Sequence, residues 1–275
     1  MSSRAASALV LLLCAGASGA VPAMPRYDHV VVVIEENHAS AAVLGGPYLA
    51  SLADRGMLLT RSFALAHPSQ PNYLVLFSGS TQSVTDDRRH DIDAPNLATA
   101  LIGAGLSFAT FSEGLPSVGF RGESAGRYVR KHNPGASFTN VPAQTNLPFS
   151  ALPASRWDSL PTVSFVVPNL DNDMHDGSIE RGDRWLQDNI DGYARWAPEH
   201  NSLLIVTFDE GPGREEPSEV SLATILVGAQ VRRGRFETPV THYSILKMLE
   251  EIYGLPPMGE EREAPEIEGI WEPAG

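Results

Sequence analysis

The sequence predicts an α/β fold, a three-layer sandwich whose mostly parallel central sheet is covered by helices on both faces. Apolar, β-branched runs recur that are too continuous for strands with one wet face, and helical patterns separate them. Polar residues crowd the segments just after several of these runs, as expected where the carboxyl ends of parallel strands share a rim.

In chain order, HVVVVI (29–34) reads as the first buried strand. A helix follows from Ser69, with Pro71 in its first turn and NYLVLFSG behind it. Residues 94–104 suit a further helix, and LSFATF (106–111) and PTVSFVV (161–167) are the next strands. Residues 113–150, rich in Gly, Pro, Ser and Asn, read as a long excursion over the sheet. A helix over 182–197 puts Leu186, Ile190, Tyr193 and Ala197 on one stripe. SLLIVTF (202–208) is a strand, and VSLATILVGA (220–229) a further strand expected near an edge. HYSILKMLEEIY (242–253) is a final helix stopped by Gly254 and two prolines. The tail from Leu255, with six Glu and one Arg, reads as a solvated or loosely docked segment.

The chain has 275 residues, 20 Lys+Arg against 33 Asp+Glu, and a formal charge of −13. With 43% apolar and 19% charged residues it is neither disordered nor fibrous. An isoelectric point near 5.0 argues against a nucleic-acid partner, which needs a basic face. Arg4, the apolar run 8–15 (ALVLLLCA), the small residues after it and Pro22 have the form of a secretory signal peptide over 1–23, leaving a single domain over 24–275. No stretch is long enough for a transmembrane segment. Cys14, the only cysteine, falls in the leader, so the mature chain stands on its core without disulfides, as suits a bacterial periplasmic or secreted enzyme.

The first strand is followed by Glu35, Glu36, Asn37 and His38. PTVSFVV is followed by Asn169, Asp171, Asp173 and His175, and SLLIVTF by Asp209 and Glu210. One such strand end is ordinary loop chemistry. Three on one rim collect anions that repel unless cations neutralise them, which predicts a site for one or two divalent metal ions. Asp171-x-x-x-His175 is a weak ligand pair by itself, and His242 at the start of the last helix is a further candidate. Carboxylate with imidazole suits zinc, iron or manganese better than calcium, without naming the metal. Ser69 sits at a helix N-terminus, where unpaired N–H groups suit a phosphate. On that feature alone an N-cap is the plainer reading. Arg121, Arg127, Arg130, Lys131 and His132 form a basic island that could clamp a phosphate or be a solvated loop.

Together EENH, HPSQPNYLVLFSGST, KHNP, PNLDNDMHDGS, FDEG and HYSILKMLEEIYGL resemble the bacterial phosphoesterase family, over about residues 28–256. That family spans secreted acid phosphatases, phosphatidylinositol-3-phosphatases and non-specific phospholipases C, and belongs to the alkaline phosphatase superfamily. The resemblance implies an alkaline-phosphatase-like fold, with Ser69 as covalent nucleophile and Asn72 on a phosphate oxygen. It implies metal ligation by Glu36, Asn37, Asp209 and Glu210, and by Asp171, His175 and His242 at a second metal, the two His acting on phosphate or leaving group in one-metal relatives. Glu210 departs from the usual Asp-Asp or Asp-His pair. His67, Arg130, Lys131 and His132 are the candidate substrate contacts. The implied reaction is metal-dependent hydrolysis of phosphate monoesters through a phosphoserine, with phosphoinositide head groups among the candidate substrates. A phosphodiesterase or phospholipase C is the alternative enzyme, and a non-catalytic exported binding protein the alternative of another class. A sulfatase is disfavoured because no C/S-x-P-x-R segment is present. The oligomeric state is left open.

Overall fold

The structure is a computed structural model and describes residues 24–213 and 216–273. The expected signal peptide lies outside the described residues.

The strands are β1 (His29–Glu35), β2 (Met57–Phe63), β3 (Phe108–Ser112), β4 (Ser124–Ala125), β5 (Tyr128–Val129), β6 (Asn146–Pro148), β7 (Val163–Val167), β8 (Ser202–Phe208), β9 (Ser221–Gly228), β10 (Gly234–Phe236) and β11 (Val240–Thr241). The helices are α1 (Ser40–Val43), α2 (Pro47–Arg55), α3 (Ser69–Ser78), α4 (Leu97–Gly103), α5 (Pro134–Ser137), α6 (Ile179–Trp196) and α7 (His242–Tyr253).

One sheet runs β10-β2-β9-β8-β1-β7-β3-β6, with β11 beside β2, and β4 and β5 form a separate hairpin. Within the large sheet only β9 runs antiparallel to its neighbours, so the carboxyl ends of β1, β2, β3, β7 and β8 share one rim. β1 lies between β7 and β8, and its continuous apolar run is explained by burial on both faces. Val30, Val32 and Ile34 face a core built with α3, α4 and α7. Val31 and Val33 face a second core built with α2 and α6. The three-layer α/β sandwich is therefore as expected.

Two expectations about elements are corrected. β9, expected near an edge, is an inner strand, third from the β10 end between β2 and β8, which accounts for its almost complete burial. The chain after Leu255 is not loose: most of its glutamates face solvent, but Ile267, Ile270 and Trp271 are buried in the α3–α7 core, and Glu261 is fully enclosed. α2 and β2 carried no clear sequence signal, because MLLTRSF mixes polar residues into a strand that is only partly covered.

Local chemistry fixes the ends of three helices of the α3–α7 layer. α4 begins in a capping box, Asn96 accepting from the Thr99 N–H while the Thr99 hydroxyl accepts from the Asn96 N–H. α7 begins in another, between Thr241 and Ser244. α3 ends at Gly79 with φ 64°, a left-handed cap that glycine adopts without strain.

Candidate active site

The site is assembled on the shared rim around Glu36, the residue that follows β1. Its backbone N–H donates to the Asp173 carbonyl at 2.8 Å, locking β1 to the turn after β7. Its side chain is fully buried and its two oxygens face different partners. Oε1 accepts from the Tyr73 hydroxyl at 2.5 Å and stands 3.0 Å from His132 Nε2. Oε2 accepts from the Ser69 hydroxyl at 3.0 Å.

Ser69 opens α3 and is 2% exposed. Its hydroxyl also lies 3.3 Å from Glu210 Oε1, and Glu210 Oε2 is held by His67 Nδ1 at 2.6 Å. Asn37, at φ 55°, donates its backbone N–H to Asp209 Oδ1 at 3.1 Å. Asn37 Oδ1 and Asp209 Oδ2 are buried without hydrogen-bond partners among the described residues. Orphaned buried acceptors of this kind are rare unless an ion or proton meets them.

On the Oε1 side stand two imidazoles, each oriented by a carboxylate. His132 donates Nδ1–H to Asp173 Oδ2 at 3.1 Å and stacks on Tyr73. His175 donates Nδ1–H to Asp176 Oδ1 at 2.6 Å. Burial, helped by Lys131 and His175, holds His132 well below its ordinary pKa, so it is neutral with its Nε2 lone pair toward Glu36. A lone pair and a carboxylate oxygen at 3.0 Å repel unless a proton or a cation lies between them. Glu36, His132 and His175 each offer a ligand atom, and these atoms all lie within 4.8 Å of one another. The carboxylate–imidazole pairs behind both His are the arrangement that fixes metal-ligating tautomers.

The acid groups bear the mark of crowding. Burial first, then the Asp209 and Asp173 charges, pushes Glu36 well above the carboxylate range. Asp209 is pushed up to about 7 by burial and then by Glu210. Asp173 and Glu210 are also pushed up to about 7, chiefly by burial. Buried carboxylates in such a cluster need positive charge to remain ionised near neutral pH. Glu36, His132 and His175 offer a mixed N/O donor set that fits a divalent cation.

Of the residues singled out in the sequence, the structure brings together Glu36, Asn37, Ser69, His67, His132, His175, Asp209 and Glu210. It does not bring Asp171, which pairs with Arg127 at 2.7 Å and Arg181 at 3.3 Å on a half-buried surface. The inward acid of that segment is Asp173, two residues on. Residues 169–177 run through turns, with Met174 at φ 76°, so the spacing of a helical turn does not apply there. Asn72 is committed to backbone: Oδ1 accepts from Leu65 and Ala66 N–H, and Nδ2 donates to the Ala66 carbonyl, shaping the turn before Ser69. Arg130 is a buried strut and not an open phosphate clamp, bonding the Ala136 and His90 carbonyls and Asp91. Arg121 likewise donates to the carbonyls of Phe138 and Val141. Lys131 reaches Asp87 at 2.7 Å. His242 is buried, donating Nε2–H to the Phe208 carbonyl at 2.9 Å, and burial lowers its pKa to about 4. It is outside the Glu36–His132–His175 group. The sequence signal for Asp173 was its place in NLDNDMH; nothing in that string ranked it above Asp171.

The model of the Phosphoesterase family matches residues 46–256, most of the chain. The chain belongs to the Phosphoesterase family. It is 46% identical over 276 residues to the phosphatidylinositol-3-phosphatase of Mycobacterium tuberculosis, covering 96% of this chain and 91% of that protein. It is 32% identical to the phosphate-repressible acid phosphatase of Penicillium chrysogenum over 85% of this chain, which spans 60% of that longer enzyme. Among solved structures it resembles an alkaline phosphatase superfamily protein of Vibrio parahaemolyticus (TM-score 0.62, 11% identity, 89% of this chain and 72% of that one). The lipoteichoic acid synthase LtaP of Listeria monocytogenes is similar in fold (TM-score 0.63, 11% identity, 89% and 77%). This member of the Phosphoesterase family is thus a phosphate-ester hydrolase with an alkaline-phosphatase-like fold. Among the described residues no helix is long and apolar enough to cross a membrane.

Proposed function

We propose that this chain is an exported phosphatase that hydrolyses phosphate monoesters through a phosphoserine at Ser69, in a cation-dependent reaction, with phosphoinositides as a substrate class. The observation that carries this reading is the Ser69 hydroxyl, held at a helix N-terminus between two buried carboxylates, Glu36 at 3.0 Å and Glu210 at 3.3 Å. Ser69 also stands at the positive end of the α3 dipole, with the Gln70 N–H taken by Asp87 and no N–H on Pro71.

Attack forms the Ser69 Oγ–P bond and breaks the ester P–O bond, while the serine proton passes to the adjoining Glu210 carboxyl. The alcohol leaves with a proton from solvent. Water then attacks the phosphorus, forming a P–O bond and breaking the Oγ–P bond; the proton on Glu210 returns to Ser69 Oγ, one proton of the water goes to solvent, and inorganic phosphate departs. His67 fixes the Glu210 rotamer, and Asp173 and Asp176 fix the two imidazoles. Glu36, His132 and His175 would hold one divalent cation, and the unpartnered Asn37 Oδ1 and Asp209 Oδ2 offer donors for a second; such cations would neutralise the carboxylates, favour the serine alkoxide and offset charge on the phosphoryl oxygens. The monoester and phosphoinositide reading is supported by the 46% identity to a phosphatidylinositol-3-phosphatase. Export is supported by the leader-like residues 1–23.

The test is turnover of p-nitrophenyl phosphate and of its bis-ester by the purified mature chain, before and after chelation and with metals restored. Acid-quenched peptide mapping should find phosphate on Ser69. A faster bis-ester reaction would replace the monoester reading with a phosphodiesterase one. Full activity after exhaustive chelation would remove the cation.

A further inference from the structure

A cavity of about 480 Å³ opens beside the nucleophile, and none of its walls is used in the chemistry above. It is lined by Gln70, next to Ser69, and by Lys131, next to His132, together with Asp87, Arg88, Arg89 and Glu123. Its two walls are the loop after α3 and the β4–β5 hairpin with the turn that follows it. They are braced across by Lys131–Asp87 at 2.7 Å and Arg130–Asp91 at 2.6 Å. Asp87 also accepts the Gln70 N–H at 3.0 Å, tying the loop to the first turn of α3. The cavity is therefore preformed, and its position against Ser69 is fixed by the helix that carries the nucleophile.

Its chemistry is uneven. Arg88 and Arg89 hold their guanidinium groups in the open, with side chains 86% and 45% exposed. Each has one acidic neighbour, and each of those acids has a second partner. Asp86, 3.3 Å from Arg88, is also 2.7 Å from His90. Asp91, 3.0 Å from Arg89, is also 2.6 Å from the buried Arg130. Exposed ion pairs of this kind contribute little, about 0–1 kcal/mol, so both guanidinium groups can turn to a better anion at small cost. A phosphate accepts paired N–H bonds from arginine in a geometry a single shared carboxylate does not match. Glu123, by contrast, favours hydroxyl donors over a further anion.

We infer that this cavity is the leaving-group subsite, shaped for a polyol ring that carries a second phosphate: the phosphate to be transferred lies over Ser69, ring hydroxyls face Glu123, and the second phosphate meets Arg88 and Arg89. The inference rests on the proposed function for the identity of the transferred group. The subsite itself can be read without turnover.

Three ligands that share one transferable phosphate distinguish the possibilities: inositol 3-phosphate, inositol 1,3-bisphosphate and a short-chain phosphatidylinositol 3-phosphate. In the wild-type chain, kcat/KM should be about tenfold or more higher for the two ligands with a second phosphate. A preference for the bisphosphate alone marks a free dianion as the natural occupant, and an equal or greater preference for the short-chain lipid marks a head-group diester. The double variant R88A/R89A should shrink that ratio to within about twofold of one. Calorimetric binding of the same ligands to a Ser69→Ala background should show the same loss of discrimination. Absence of hydrolysis with binding discrimination intact would overturn the phosphatase reading and leave the subsite standing. Equal use and equal binding of all three ligands, or a ratio that R88A/R89A leaves unchanged, overturns the subsite.

Discussion

Ser69, Glu36 and Glu210 form a hydroxyl between two carboxyls, and each of the three is held by something behind it. Glu36 is held by Tyr73, Glu210 by His67, and Ser69 by the start of α3. Ser69→Ala should therefore lower kcat by about 10³-fold or more while the thermal midpoint stays near wild type, since only one buried oxygen is lost. Turnover near the wild-type rate would return the nucleophile to another group. Asp173 is a positioning residue, because it touches His132 Nδ1 and the His175 N–H and neither reacting atom. Asp173→Asn should weaken metal affinity about 10–100-fold, as loss of an outer carboxylate partner commonly does, measured by competition with a chelator dye. A purely structural role would instead lower the melting temperature and leave metal affinity unchanged. At this scale the sequence was legible where a residue follows directly on a strand, as Glu36, Asn37, Asp209 and Glu210 do. It was illegible where direction within an irregular turn decides, as between Asp171 and Asp173. It was equally silent on depth: Arg130 reads as an exposed cation in FRGESAGRYVRKHNP, yet the fold encloses it.

Secondary elements were recovered where burial is two-sided or amphipathic. β8 and α7 stand where their apolar runs put them, and α6 starts at Ile179, three residues before the expected start at 182, just after the Ser178 cap. β2 escaped because polar residues break its run, α2 because it spans only nine residues, and β6 because three residues of an excursion cannot signal that they will join a sheet edge. α3 is the element with most at stake, since its first residue is Ser69 and its last turn meets the C-terminal segment. At its end Gly79 has φ 64°, and a Cβ there would sit 1.7 Å from Glu261 Oε2 and 3.1 Å from the Gly259 Cα. Gly79→Ala combines left-handed strain with that overlap, so it should destabilise the chain by about 2 kcal/mol or more. Chemical denaturation measures it, and a change below about 0.5 kcal/mol would mean that the C-terminal segment yields freely.

Over the whole molecule, the acidic tail is the part whose reading changed most. Six glutamates after Leu255 look like a solvated segment, yet Ile267, Ile270 and Trp271 anchor it in the core beside α3 and α7. Charge count alone missed this because three apolar residues among many acids decide the docking. The anchor includes a buried acid pair. Glu261 Oε1 accepts from the Met258 and Gly259 N–H groups, and Glu250 Oε1, on α7, lies 3.2 Å from the same Met258 N. The Glu260 N–H then donates to the Gly79 carbonyl, closing the tail onto the end of α3. Burial, and next the charge of Glu261, pushes the Glu250 carboxyl from 4.5 up to about 8. Between those two pH values the folded chain keeps a proton at Glu250 that the unfolded chain has released. The stabilisation from this group is thus complete below about 4.5 and is lost as pH rises through about 8. Glu250→Gln keeps an acceptor for Met258 and supplies a permanent donor toward Glu261, so it imitates the protonated acid at every pH. Its melting temperature should match wild type near pH 4.5 and exceed it by about 2–4 °C near pH 8.5, the shift about 1 kcal/mol gives in a domain of this size. Melting curves of both proteins across that range measure the difference, and parallel curves would show that the Glu250 proton is not what fastens the tail to the helix that begins at Ser69.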